Sequence, residues 1–312
     1  VGRVITIGSG DGASGKSFLA VNLGVVLAQR HLRVCLVDLN LRTAELHLPL
    51  GVRCPKRGLL DFISGRMSHL EEISVAVEGI SGLRLVPGTG ETLRPSSLKA
   101  DEVAQLVHGL NSLPADVVLV EVGESASRQN LDLYLAGDRQ IVVMDLHSET
   151  YAKSTEHWLR LARGRRTARG SAVTTVPRQA QIYTSLEDLV KDMTAIRDAE
   201  QGCASPVGVF HPVLVLNSVQ PGSHKKNLAM VEKLRRELGD DVDLPVWAEI
   251  PNDSAVLAAE DSFEPLVISD PGASAAKAIS DLATRVMTDL GAESLEDSLP
   301  ASLETSLSPD YS

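Results

Sequence analysis

The stretch RVITIGSGDGASGKS, residues 3–17, decides the fold. Its first part, Arg3–Gly8, is a short apolar run of the kind that forms a strand buried on both faces. Its second part runs from Gly10 through Gly15 to Lys16 and Ser17 and fits the pattern GxxxxGK[ST]. Glycines at these places let consecutive backbone N–H groups converge on phosphate oxygens, and a helix that follows points its positive N-terminal end at the same spot. The lysine of the pattern offsets β/γ-phosphate charge, and the hydroxyl beside it is a ligand for Mg²⁺. Residue frequencies alone produce such a match in roughly one chain in a hundred of this size. Here the match also lies between a strand and a helical repeat, which is the context the chemistry requires, so the stretch reads as a nucleotide site. The expected binding set is Gly10, Asp11, Gly12, Ala13, Ser14, Gly15, Lys16, Ser17 and Phe18, with Lys16 also acting on the reacting phosphate.

Working outward, the same alternation continues. Apolar runs at Arg3–Gly8, Arg33–Asp38, Leu83–Val86, Asp116–Glu121, Gln140–Asp145, Pro212–Asn217 and Pro245–Ile250 read as strands. Amphipathic stretches at Lys16–Arg30, Leu98–Leu113, Ala126–Ala136, Tyr151–Ala162, Lys226–Leu238 and Ser274–Leu290 read as helices. Continuous apolar strands alternating with helices mean an α/β fold with a parallel, doubly wound sheet covered by helices on both faces. One domain is expected over residues 1–290, with no solenoid-scale repeat.

Composition supports this reading. The chain has 312 residues, 43% hydrophobic but only 3% aromatic, so its core must be built from Val, Leu, Ile and Ala. A formal charge of −11 argues against a whole-surface nucleic-acid binder. Cys35, Cys54 and Cys203 are too few and too scattered for a disulfide framework or a zinc ribbon, which points to a reducing cytoplasm. No stretch approaches the roughly 18 apolar residues that a membrane helix needs. The eight histidines form no metal motif, and Trp158 and Trp247 read as core anchors.

Two segments break the pattern. Residues 157–186 contain no acid but hold Arg160, Arg163, Arg165, Arg166, Arg169 and Arg178; setting these six charges aside takes the rest from −11 to −17. The Arg-rich insertion, about residues 163–206, reads either as an electrostatic dock for an acidic partner, acidic lipid or DNA, or as a solvated insertion. DNA rests on charge alone, since aromatics are not interleaved. The tail, 291–312, repeats Ser-Leu every four residues and carries five acids, no base, and Pro300 and Pro309. Its composition is that of a disordered segment, and Leu295, Leu299, Leu303 and Leu307 stand at a spacing that would dock in a partner groove. An acidic tail is repelled by anionic lipid, so no membrane anchor is expected there.

The run from Gly8 to Val52 resembles the MinD/ParA class of P-loop ATPases, which carry a deviant Walker A motif. The resemblance continues through GLLDFISG, SHLEE, GLRLVPGTG, DVVLVEVGES, LVLNSV and IPNDSAVLAAEDSFEPLV, and is strongest to the FlhG (FleN) branch, with MinD next. It implies ATP and Mg²⁺ as cofactors, a homodimer that sandwiches ATP, and a cycle that positions a protein partner. It also implies that Asn217 and the loop at Pro251 frame the adenine, that Asp38 acts on the metal and the reaction, and that His47 lies near the site on a helix after Asp38.

Three departures from the class pattern sit on chemistry. The class carries KGGxGK[ST], whose first lysine reaches the partner's phosphates; here that position is Asp11. A DxD pair closes the second strand in the class, its second acid orienting the attacking water; here the pair is Asp38 and Asn40, and an amide accepts no proton. The metal strand ends in Asp in the class and in Glu121 here, where an extra methylene moves the oxygens outward; Ser17, Asp38 and Glu121 form the expected metal set. Phosphoryl transfer depends on charge neutralisation and positioning, so weak or absent hydrolysis is expected, unless Arg42 or Glu124 has taken over a lost role. The alternative is a relative of the capsule-type bacterial tyrosine kinases, which share the scaffold and lack the first lysine, although their tyrosine-rich tail is reduced here to Tyr311.

Overall fold

The computed structural model describes residues 2–41, 43–53, 55–88, 98–124, 126–169, 210, 212–239 and 242–291. Arg42, Cys54, Cys203, the stretch 170–206 and the tail 292–312 with Tyr311 lie outside the described residues, as do the side chains of Arg166 and Arg169.

In chain order the elements are β1 (Arg3–Gly8), α1 (Lys16–Gln29), β2 (Val34–Leu39), α2 (Leu59–Ile63), a 3₁₀ turn (Leu70–Ile73), β3 (Val75–Ala76), β4 (Leu83–Val86) and α3 (Ala100–Asn111). There follow β5 (Val117–Val122), α4 (Arg128–Leu135), β6 (Arg139–Asp145), α5 (Glu149–Arg169), β7 (Pro212–Val219), α6 (His224–Leu238), β8 (Val246–Pro251), α7 (Ser254–Ser262), α8 (Leu266–Ser269) and α9 (Ser274–Leu290). The strands make one eight-stranded sheet in the order β3-β4-β2-β5-β1-β6-β7-β8. Every neighbouring pair is parallel except β3 with β4. From β1 the chain passes through α1 to β2 on one side, while β6, β7 and β8 extend the sheet on the other. The carboxyl end of β1 therefore lies where the winding reverses, the place where open α/β sheets leave a ligand crevice.

The core follows from the strand composition. On one face Leu19, Leu23 and Leu27 of α1 pack among Ile279, Leu282 and Val286 of α9 and the strand residues Ile5, Leu36 and Leu119. Helix α1 is apolar nearly all round because it is enclosed by sheet and helices. On the other face Tyr134 of α4 and Trp158 of α5 meet edge to face, with ring centroids 4.4 Å apart, above Val118, Val142 and Leu214.

The expected strands and long helices form, with ends shifted by up to a few residues; α5 departs most. It runs seven residues past the expected end at Ala162 to Arg169, so Arg163 and Arg165 belong to a helix and not to an insertion. Arg165 is held in a forked ion pair by Asp132, at 2.7 and 3.0 Å, and Arg160 pairs with Glu156 and Glu237. Part of the arginine charge thus fastens α5 to α4 and α6. His47 lies in a turn, since residues 43–50 form no helix. Trp158 is the buried anchor it was read to be, whereas Trp247 is half-buried with the Arg139 guanidinium 5.5 Å from its ring centroid.

One carboxylate ties two helices together. Asp253 accepts the Ala255 N–H at 3.0 Å to cap α7, and its second oxygen accepts the Ser274 hydroxyl at 2.6 Å and the Ala275 N–H at 3.2 Å at the start of α9. These bonds, the Ser274 hydroxyl first, hold its pKa below the ordinary value of 3.8. A group with a depressed folded pKa stabilises the fold above its unfolded value and loses that contribution as pH falls through the folded one. Asp253→Ala is therefore expected to cost about 1 kcal/mol at neutral pH. Urea midpoints of variant and wild type should begin to approach below the ordinary carboxylate pKa of about 4 and converge only once the pH lies below the depressed folded value.

Candidate functional site

The loop between β1 and α1 turns through Gly15, whose φ of 89° is left-handed and favours glycine. A Cβ there would also overlap the Asn217 side-chain amide. That amide donates to the Ser14 carbonyl at 3.0 Å, so the end of β7 braces the loop. Asn217 is aimed by an irregularity: β7 and β8 slip register between Leu216 and Val219, and Ser218 takes a φ of 56°. Beyond the slip Val219 pairs with Pro251, and the Asn252 N–H donates to the Val219 carbonyl at 2.9 Å. Asn217 and Pro251 thus stand on neighbouring strand ends beside the loop. On the opposite flank Ser154 of α5 donates its hydroxyl to the Gly10 carbonyl at 2.8 Å.

Lys16 is only 2% exposed. Its ammonium donates to the Asp11 carbonyl at 2.7 Å, the Ser9 hydroxyl at 2.9 Å and, more weakly, the Ser14 hydroxyl at 3.4 Å. Burial lowers its pKa, opposed by Glu121, Asp11 and Glu124 in that order. The lysine is folded over its own loop, its donors on loop oxygens, with Glu121, Asp11 and Glu124 around it. Phe18, expected in the binding set, packs half-buried against the α1 core.

The Ser17 hydroxyl donates to Glu121 Oε1 at 2.8 Å, so two of the three residues expected at the metal lie within hydrogen-bond reach of each other. Burial pushes the Glu121 carboxyl up to about 7, against the Ser17 hydrogen bond and Lys16. Hydroxyl and carboxylate oxygens together fit Mg²⁺, which keeps several waters and takes phosphate oxygens for the rest of its octahedron. Among the described residues no group of three or more His, Cys, Asp or Glu gathers to hold a metal alone. A shared protein and phosphate coordination is what this donor set suits.

Asp38 and Asn40 both hold the loop that follows β2. Asp38 is buried and accepts the Asn40 N–H at 3.1 Å and the Leu46 N–H at 3.2 Å, bracing the loop after β2. Asn40 donates its amide to the Thr43 hydroxyl at 2.8 Å and accepts the Thr43 N–H at 3.4 Å.

Asp11 is the least comfortable group. Both carboxylate oxygens are buried and neither accepts a well-formed hydrogen bond. Burial raises its pKa first; Lys16 and the Ala13 amide oppose this, and Asp145 and Glu124 add to it. Glu124 lies directly against the loop, where a Cβ on Gly12 would overlap its carboxylate. Asp145, at the end of β6, accepts the His147 N–H at 2.8 Å. Ser154 and Asp145 carry no motif, and only the fold brings them to the loop.

Residues 5–266 match the model of the CobQ/CobB/MinD/ParA nucleotide binding domain. The chain is similar to the antiactivator FleN of Pseudomonas aeruginosa, 30% identical over 144 residues, which are 46% of this chain and half (50%) of FleN. In fold it is similar to the MinC:MinD cell division protein complex of Aquifex aeolicus, with a TM-score of 0.62 at 20% identity over 92% of this chain and 96% of that one. It is also similar to the septum site-determining protein MinD of Pyrococcus horikoshii complexed with Mg-ADP, with a TM-score of 0.59 at 19% identity over 93% and 98%.

The loop geometry makes a coupled prediction. Gly15→Ala meets both backbone strain and the Asn217 amide, and should cost about 2–3 kcal/mol. Made on an Asn217→Ala background, the same change should cost only about 1–2 kcal/mol, the part due to φ. Urea unfolding of the four chains measures the difference, and equal costs on both backgrounds would refute the brace.

Proposed function

This chain belongs to the CobQ/CobB/MinD/ParA nucleotide-binding domain family, and we propose that within it the protein is a regulator of the MinD/ParA type. It binds ATP with Mg²⁺ at Gly10–Ser17, pairs with a second copy of itself when nucleotide is bound, and hydrolyses the nucleotide slowly or not at all. The observation that carries this reading is a division within one site. The parts that bind are assembled, while Asn40, at the position expected to orient water, is an amide closed onto Thr43.

In this reading the α1 amides and Lys16 face the phosphates, and Lys16 exchanges its bonds to Ser9 and the Asp11 carbonyl for phosphate oxygens. Ser17 and Glu121 are the protein oxygens that would hold Mg²⁺, which when bound neutralises phosphate charge. Asn217 and Pro251 rim the adenine. Asp38 acts through the loop it braces. Phosphoryl transfer gains most from positioned charge, so the carboxylate at Asp11 and the amide at Asn40 both work against turnover.

The relatives' roles, an antiactivator and a septum-site determinant, support control of another assembly. Contact with that partner would run through the surface, the Arg-rich segment or the tail, in the cytoplasm. No helix among the described residues is long and apolar enough to cross a membrane. The phosphotransferase alternative rests on the shared scaffold and the missing first lysine, and its acceptor would be Tyr311, which lies outside the described residues.

A single-turnover experiment with protein in excess over labelled Mg·ATP tests the reading. Wild type should retain nucleotide uncleaved over minutes, Lys16→Ala should fail to retain it, and Asp11→Lys with Asn40→Asp should restore cleavage. Wild type cleaving as fast as that double variant would overturn the proposed loss of hydrolysis.

A further inference from the structure

Helix α7 and the short α8 pack on each other just past the end of β8 and form a shoulder of the molecule. Six large apolar side chains are exposed among the described residues, and three of them fall here: Leu257 of α7, Phe263 at its end and Ile268 of α8. Phe263 is the most telling. It takes a φ of 54°, in the left-handed region that favours glycine or asparagine, while its side chain is 57% exposed. The bulky residue thus strains the backbone and gains little burial in return, in a chain with only four phenylalanines. Local strain of this kind persists where a surface has other work. Between the two helices lies a shallow hollow of about 390 Å³, lined by Ala255, Ala258, Ala259, Ser262 and Ser269, with room for an apolar side chain from outside.

The same shoulder carries charge of one sign. From Pro251 to Ala276 there are five acids and no Lys, Arg or His. Asp253 and Asp270 are used internally, by the α7 cap and by the Gly272 and Ala273 N–H groups. Glu260, Asp261 and Glu264 are exposed, and no described residue forms an ion pair with them. Burial raises the Glu260 pKa and Asp261 adds to the rise, with no cation opposing it. An apolar patch rimmed by acids fits a surface with the opposite rim. Anionic lipid would be repelled by the three carboxylates, and a second copy of the shoulder would set acid against acid. We propose that the α7–α8 shoulder is a docking surface for a basic amphipathic helix of a protein partner. The apolar stripe of that helix covers Leu257, Phe263 and Ile268, and its flanking lysines or arginines meet Glu260, Asp261 and Glu264. None of these residues belongs to the nucleotide loop, so the surface stands or falls apart from the reading of that loop.

The test is fluorescence anisotropy of the full chain with a labelled helical peptide of leucine and lysine, the leucines on one face. Wild type should bind it with a Kd below about 100 μM, and raising the salt to about 0.5 M should weaken binding by about tenfold. A peptide with glutamate in place of each lysine should not bind. Phe263→Asn suits the left-handed backbone, so it should melt no lower than wild type yet bind the peptide about tenfold more weakly. Glu260→Gln with Asp261→Asn and Glu264→Gln should also weaken binding by about tenfold and flatten its salt dependence. Glu78→Gln with Asp243→Asn and Asp281→Asn removes the same charge from exposed acids elsewhere and should change nothing. Failure of wild type to bind, equal binding of the glutamate peptide, shoulder variants that bind like wild type, or control variants that bind as weakly as the shoulder variants would overturn the inference. So would capture of wild type, but not of Phe263→Asn, by phosphatidylcholine vesicles containing phosphatidylserine, which would give the surface to lipid.

Discussion

A buried ammonium is the constraint on which this molecule turns. Lys16 sits at the start of a helix enclosed by the core, with almost no access to water. A charge so placed needs donated bonds and nearby anions, or it loses its proton. The loop supplies the acceptors, as Ser9, Ser14 and the Asp11 carbonyl converge on Nζ. Glu121, Asp11 and Glu124 supply the field. The positive φ at Gly15 and the close approach at Gly12 follow from wrapping a chain that tightly around one side chain. The place of β1 beside β5 brings Glu121 to the same point.

The three substituted positions fare differently once that constraint is met. Glu121 has adapted, its longer arm ending 2.8 Å from the Ser17 hydroxyl. Asn40 has been absorbed into the loop it closes with Thr43, where it does structural work. Asp11 has not been satisfied: its two oxygens are buried, only the Ala13 amide opposes the cost of that burial from the backbone, and such a carboxylate is expensive to keep. Residues that store unfavourable energy in this way belong to sites where the surroundings outweigh the penalty.

Much of this was legible in the chain itself. Continuous apolar runs give parallel strands, and the glycine-lysine-serine pattern locates the loop, because both signals are local and periodic. The part of α5 beyond Ala162 is hidden in the sequence, since Arg165, which reads as part of a charged insertion, is a helix residue paired with Asp132, far away in sequence. The slip at Ser218, which aims Asn217, has no periodic signature. Ser154 and Asp145 reach the loop only through tertiary approach, and no spacing rule could bring them together. The two-residue β3 and the four-residue α8 fall below the length at which a repeat can be recognised. His47 was put on a helix by analogy and lies in a turn.

The margins of the sheet deserve one more consequence. At one side the outermost strand, β3, has only two residues and runs against its neighbour. At the other, β8 is bounded by Pro245 and Pro251, and the Arg285 guanidinium takes up the Val246 carbonyl at 3.0 Å. Neither margin offers a long row of free backbone groups, so each is a poor template for strand addition by another chain. Sheet growth of the kind that seeds aggregates is blunted at both ends.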